Sequence, residues 1–183
     1  IPILGAIAEL NIRRILSFCL LSHIGVMLAG LAIYDHTALS GTVFYMIHHM
    51  IVIACLFLMC GILQRIFDTD DSRKMGGLME HAPLLAWLWF IPIISLAGLP
   101  PFSGFWGKML LVKGALEGGN YVLVGAMLLT GLLTLYALIA MWHMAVWRKA
   151  PETLVFQTIP DTDRKIMVGA ATALAALSMF IGL

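Results

Sequence analysis

Lys108 is the side chain in this sequence that most needs a chemical reason. It stands in GLPPFSGFWGKMLL, residues 98–111, inside a long apolar tract. A charged lysine near the middle of a bilayer costs from ~2.5 to more than 10 kcal/mol, depending on the reference state. One that survives there is a candidate proton-loading site, because an amine can release and recover its proton when a nearby charge moves. A lysine that merely snorkels needs a position near a helix end, and Lys108 is mid-segment. His23 lies in LLSHIGV, and His48 and His49 lie in YMIHHMIV, again inside apolar tracts. Histidine is the side chain best suited to pass protons near neutral pH. One isolated histidine would read as a hydrogen bond between helices. His23, His48 and His49 together, beside a lysine, read as a proton relay.

The residues around Lys108 explain how a polar group is tolerated there. Pro100 and Pro101 remove two backbone donors, and Gly98 can close a helix with a positive φ. Ser103 is the expected N-cap of a second half-helix that continues through Gly104 and Phe105. Lys108 then lies about 7.5 Å beyond Ser103 at about 1.5 Å per residue, so its expected electrostatic neighbour is the positive end of that second half. Backbone left open in lipid is tolerated only where protein or a water-filled cavity surrounds it, and discontinuous helices commonly form ion or substrate sites in transporters. The alternative is a proline kink used for packing alone, the reading given to Pro92. Lys113 with Glu117 four residues on reads as an interfacial pair. His143, between Trp142 and Trp147, reads as part of an interfacial aromatic belt. The acidic residues, ten in all, lie in loops or near helix ends, so no carboxylate in this sequence is an obvious counter-ion for Lys108.

The elements that must position these groups are membrane helices. The 183 residues are 61% hydrophobic and 11% charged, with a mean hydropathy of +0.97. That excludes an ordinary soluble domain, and a net charge of +1 gives no sign of nucleic-acid binding. Cys19, Cys55 and Cys60 lie in apolar tracts without CxxC or Cys/His spacing, which suggests neither a disulfide framework nor a metal site. The fold class is all-α, a polytopic transmembrane bundle of about five crossings in one membrane domain. The expected helices are 15–33, 41–66, 83–116 broken near 98–104, 121–146 and 166–183, each close to or above the roughly 20 residues that span about 30 Å. Residues 1–10 read as the tail of a preceding crossing. The chain opens on Ile-Pro and closes on ALSMFIGL, and it reads as a fragment of a larger membrane protein.

Charge decides whether 83–116 crosses once or twice. A single crossing puts Arg13, Arg14, Arg65, Arg73, Lys74, Arg148, Lys149, Arg164 and Lys165 on one side, and a double crossing splits them. The positive-inside rule prefers the single, interrupted crossing. Loops 67–82 and 147–165 are then expected to be cytoplasmic, and the short loops 34–39 and 117–120 external. The 147–165 connection is expected either to lie on the membrane surface or to contact another subunit.

With these residues assembled, NIRRILSFCLLSHIGVMLAG resembles a signature of the proton-translocating antiporter-like membrane subunits, one that runs from Asp-Ile/Leu-Lys-Arg to Ser-His-x-Gly. That family includes the large subunits of multisubunit Na+/H+ antiporters of the Mrp type. It also includes homologous membrane subunits of respiratory complex I and of membrane-bound hydrogenases. The likeness continues through MIHHM, RKMGGLMEHAPLLA and LAGLPPFSGFWGKMLL, and GFWGK followed by LLVKGALEGGNY looks most like the D-type subunits of the Mrp branch. The resemblance implies the C-terminal part of a 14-helix fold built from two inverted five-helix repeats. It implies Lys108 as the ionisable residue of the broken helix, His23 as the signature histidine and His49 as the next intramembrane histidine. It implies transport of H+ and Na+ without a bound cofactor, in a cell (inner) membrane, within a hetero-oligomeric complex of other membrane subunits. A membrane-arm role in a redox complex is the alternative, although no flavin, iron–sulfur or quinone motif is present. Asn11, Arg13, Phe18-Cys19 and Met50 depart from the commoner Asp, Lys, Tyr-Ser and small residue.

Overall fold

The computed structural model describes residues 2–151, 156–157 and 160–182. A short helix α1 (Pro2–Ala8) leads into α2 (Ile12–Ile33). Asn11 starts α2, its Oδ1 accepting the backbone N–H groups of Arg13 and Arg14 at 3.0 and 3.2 Å. This answers two of the donors that a helix start leaves open, and so α2 begins three residues before the expected Ile15. Likewise α3 (His36–Phe67) begins well before Gly41, because Asp35 Oδ2 accepts Thr37 N–H at 2.8 Å. The expected loop 34–39 therefore shrinks to Tyr34 and Asp35. At 32 residues α3 is about 48 Å long, more than a hydrocarbon slab requires.

A 3-10 turn (Ser72–Lys74) and a single helical turn α4 (Leu78–His81) precede α5 (Pro83–Ala97), and α6 (Ser103–Glu117) follows the break. Pro92 is buried inside α5 without ending it. The chain then forms α7 (Tyr121–Val146) and α8 (Asp161–Gly182), the last starting earlier than the expected residue 166. Residues 152–155 and 158–159 of the 147–165 connection lie outside the described residues.

Backbone bonds fix which helix ends share a side. Ile12 N–H donates to Asp70 O at 3.0 Å and Ser72 N–H to Leu10 O at 2.9 Å, so the start of α2 is tied to the loop after α3. Gly77 N–H donates to Arg148 O at 2.7 Å, which brings the end of α7 to that same loop. Gln157 N–H donates to Ile66 O at 2.9 Å, and Arg65 pairs with Asp163 at 3.1 Å, which adds the start of α8. Since α5 starts on the side where α7 finishes, α5 and α6 together cross once. The basic loops gather on one side, as the charge count requires.

Central α3 packs against α2, α5, α6 and α8. Its buried Leu56, Met59 and Leu63 join Leu16 of α2, Trp89 and Leu96 of α5 and Leu138 of α7 in the main core, where Cys19, Cys55 and Cys60 are packed as free thiols. On the outside, Leu128, Leu132 and Tyr136 of α7 and Phe180 of α8 are exposed. Apolar residues on both the inside and the outside are what a bilayer solvent demands. Lipid tails give helices no hydrophobic reason to associate, so close packing must supply it. The α3–α6 contact does so with glycines. A Cβ on Gly114 would lie 2.8 Å from the Ala38 backbone nitrogen, and one on Gly41 would lie 3.0 Å from that of Leu111.

Candidate functional site

The break between α5 and α6 is where the polar groups converge. Gly98 ends α5 in the left-handed region, at φ 85°, and its N–H returns to the carbonyls of Ile94 and Ser95. Leu99 N–H also bonds Ile94 O. Two of the last four carbonyls of α5, those of Leu96 and Ala97, then remain open. Lys108 Nζ donates to both, at 3.0 and 2.7 Å. The lysine of the second half-helix thus closes the C-terminal end of the first, where the helix dipole is negative. The negative end of α5 is thus a neighbour of Lys108 that the expectation, which named only the positive end of α6, did not include. A Cβ on Gly98 would lie 2.8 Å from Lys108 Cδ, so the bare glycine provides both the φ and the space.

Ser103 is not the cap of α6 either. Phe102 occupies that position without a side-chain bond. The Ser103 hydroxyl is turned inward instead, fully buried, 2.7 Å from His48 Nδ1 and 2.9 Å from the Ser178 carbonyl oxygen of α8. Ser178 Oγ lies 2.7 Å from Ser95 Oγ. Gly104 packs its bare Cα against the Ser95 carbonyl and His48, where a Cβ would lie 2.8 Å from His48 Nε2. Pro100 and Pro101 form the exposed turn between the half-helices.

The histidines form one buried cluster. His23 and His49 meet edge to face, ring centroids 5.2 Å apart. Tyr45 stacks on His48 at 5.6 Å and lies 5.9 Å from Lys108 Nζ, so its ring neighbours both the lysine and the histidines. Proton counting assigns the His23 tautomer. Thr134 Oγ1 gives its one hydrogen to Thr130 O at 2.8 Å, so at 3.1 Å from His23 it can only accept. His23 Nε2 therefore carries the hydrogen, and Nδ1 accepts from the Tyr45 hydroxyl at 3.2 Å. His23 is satisfied at both nitrogens. His48 Nε2 and His49 Nε2 are buried without a hydrogen-bond partner among the described residues, which is costly unless those atoms have a task.

Tyr45, Thr134, Ser95 and Ser178 were not among the expected site residues. Tyr45 could have been found, since it precedes His48 by three and His49 by four and so shares their helix face. Thr134 and the serines are common, weak signals in apolar helices. Only tertiary packing brings Ser178 to the break. Two peripheral readings separate. Lys113 and Glu117 form an exposed pair at 3.8 Å, away from the cluster. Trp142, expected in an interfacial belt, is instead buried and donates its indole N–H to Ala86 O at 3.2 Å, while Trp147 is exposed. Trp142 faces α5, so packing claimed it.

The chain as a whole has known relatives. Residues 2–134 match the family model described as NADH:quinone oxidoreductase/Mrp antiporter, TM. The D subunit of the Na(+)/H(+) antiporter of Alkalihalophilus pseudofirmus is 44% identical over 151 residues, covering 82% of this chain and 31% of that protein. The chain thus spans about a third of the length of the curated relatives it matches. Among solved structures, a chain of the Mrp complex from Dietzia sp. DQ12-45-1b superposes with a TM-score of 0.88 at 26% identity, covering 99% of this chain and 41% of that one. A chain of respiratory complex I from Thermus thermophilus superposes with a TM-score of 0.75 at 27% identity, covering 100% of this chain and 41% of that one. This chain belongs to the NADH:quinone oxidoreductase/Mrp antiporter transmembrane family.

Proposed function

We propose that the chain is part of a proton-translocating subunit of a multisubunit Na+/H+ antiporter. The subunit sits among other membrane subunits in the cell membrane, with loops 67–82 and 147–165 cytoplasmic. The observation that carries this reading is Lys108 seated on the two open carbonyls of α5, beside His23, His48 and His49. The carbonyls hold an ammonium with no carboxylate paired to it among the described residues, so the lysine is stabilised there without an ion pair. A cation arriving about 8 Å away would oppose that ammonium by about 2 kcal/mol at an effective dielectric of about 20. That corresponds to roughly a thirtyfold change in proton occupancy. Lys108 is the proton-loading site, and the histidine cluster is the route by which protons reach it. Such coupling needs no redox chemistry in this chain, and the role is that of a secondary transporter subunit.

The second reading, a proton-conducting membrane-arm subunit of a redox complex, is favoured by the likeness to complex I at similar identity. The higher identity to the D subunit of a Na(+)/H(+) antiporter weighs toward antiport. The full-length subunit with its native partners, in inverted membrane vesicles holding a preformed pH gradient, separates the two. Antiport predicts that added Na+ collapses the gradient in the absence of any redox substrate. A gradient indifferent to Na+, but built by quinone- or ferredoxin-linked turnover, would support the redox reading instead.

A further inference from the structure

The geometry points to Ser103, anchored by the Ser178 carbonyl of α8, as the positioning residue that sets the tautomer of His48 and so makes Nε2 its proton-accepting atom. This rests on the proton-relay reading above. Ser103 has one hydrogen and three acceptors within reach, His48 Nδ1 at 2.7 Å, Ser178 O at 2.9 Å and, farthest, Ser178 Oγ at 3.5 Å. A carbonyl can only accept, whereas an imidazole nitrogen either donates or accepts. If Ser103 donates to Ser178 O, then His48 Nδ1–H donates to Ser103 Oγ and both short contacts are hydrogen bonds. If Ser103 donates to His48 Nδ1 instead, the contact to Ser178 O is lost, and an Nε2–H is buried against Gly104 with no acceptor among the described residues. The first arrangement makes one more bond and avoids an orphaned buried donor, which is the rarer and costlier defect. The chain His48 Nδ1–H to Ser103 O–H to Ser178 O therefore leaves the Nε2 lone pair free.

That free lone pair is the atom a relay needs. A proton arriving at Nε2 forms an N–H bond and gives an imidazolium, while the Ser103 chain stays intact. The same Nε2–H then breaks and passes the proton on. Ser95 Oγ, 2.7 Å from Ser178 Oγ, holds the side chain of the anchoring residue. α8 thus enters the site through a backbone carbonyl that no sequence motif marks. His23 is wired the opposite way: its Nε2–H ends on Thr134 and its Nδ1 faces Tyr45. The two histidines thus carry their hydrogens on opposite nitrogens.

The test is solid-state NMR of 15N-histidine-labelled full-length protein in its complex, with His48 assigned by difference against His48→Asn. The expected result is a protonated Nδ1 and an unprotonated Nε2 at His48 near pH 8, and a shift toward the other tautomer in Ser103→Ala. Proton flux in vesicles should fall roughly 100-fold in Ser103→Ala, within the range of general acid–base contributions, and return to within about threefold in Ser103→Thr, which keeps the hydroxyl. A protonated Nε2 in the unmodified protein would overturn the assignment. So would a Ser103→Ala flux within twofold of the parent. The tautomer is read without transport, so a protein that moves no protons refutes the antiport reading while leaving this measurement to stand or fall by itself.

Discussion

Lys108, His23, His48 and His49 differ in how completely the protein answers their polar atoms. Lys108 has two carbonyls, His23 has two hydroxyls, and the Nε2 atoms of His48 and His49 have no partner among the described residues. That gradient separates holding positions from positions open to exchange. It also makes Thr134 a residue whose loss should be felt. Thr134→Val keeps the shape but removes the acceptor for His23 Nε2–H. An unpaired buried donor costs about 1–3 kcal/mol, so the thermal midpoint of the purified complex should fall, and Thr134→Ser should restore it. Equal midpoints for Thr134→Val and the parent would mean that His23 has another partner. The lysine and histidines were legible in the sequence because charged and titratable groups are rare in apolar tracts. Their wiring was not, since hydroxyl partners leave no periodic trace.

At the scale of elements, the broken crossing works because each half leaves the other an unfilled requirement. α5 ends with two open carbonyls, and α6 carries the cation that fills them. Gly98 is where the two meet, and two costs coincide there. Any Cβ would suffer at φ 85° and would also press on the Lys108 side chain. Gly98→Ala should therefore destabilise the protein by about 1–3 kcal/mol and reduce proton flux more than the lost stability explains. Flux per folded molecule, measured beside the thermal midpoint, separates the two effects. Gly114→Leu tests a different element pair, because it would push α6 off Ala38 of α3. Its expected outcome is loss of assembly, read as a loss of the intact complex on size-exclusion chromatography; a normal elution profile would contradict the close-packing role. The glycines, the prolines and the lysine announced a break in the sequence. Which end of which half-helix would face the lysine was not legible. That depends on how the chain folds back across the turn, and residue spacing along one helix cannot report it.

At the scale of the whole molecule, one end is a clasp of backbone bonds and ion pairs, while the interior holds no ion pair among the described residues. Asp71 belongs to the clasp: it accepts from the Arg73 side chain at 2.8 and 3.1 Å and from the Arg73 backbone, which holds its carboxyl down at about 2. A folded-state value below the unfolded one, about 3.9, adds stability that is fully present above pH 4. That stability is lost as pH falls through 2. Thermal midpoints of the detergent-solubilised protein between pH 5 and 2 should thus fall less steeply for Asp71→Asn than for the parent, and equal slopes would remove Asp71 from the clasp. The single interrupted crossing was legible from charge alone, because basic residues on loops sort by side. The depth at which α8 reaches the site was not, since its serines look like any others in an apolar helix. The claim that joins these scales is that Lys108 carries the transported proton. The direct test is Lys108→Ala in the full-length subunit, assembled with its partners in sealed vesicles, with Na+-dependent proton flux as the readout. The expected result is a normally assembled complex with flux at background, whereas undiminished flux would show that the proton takes another path.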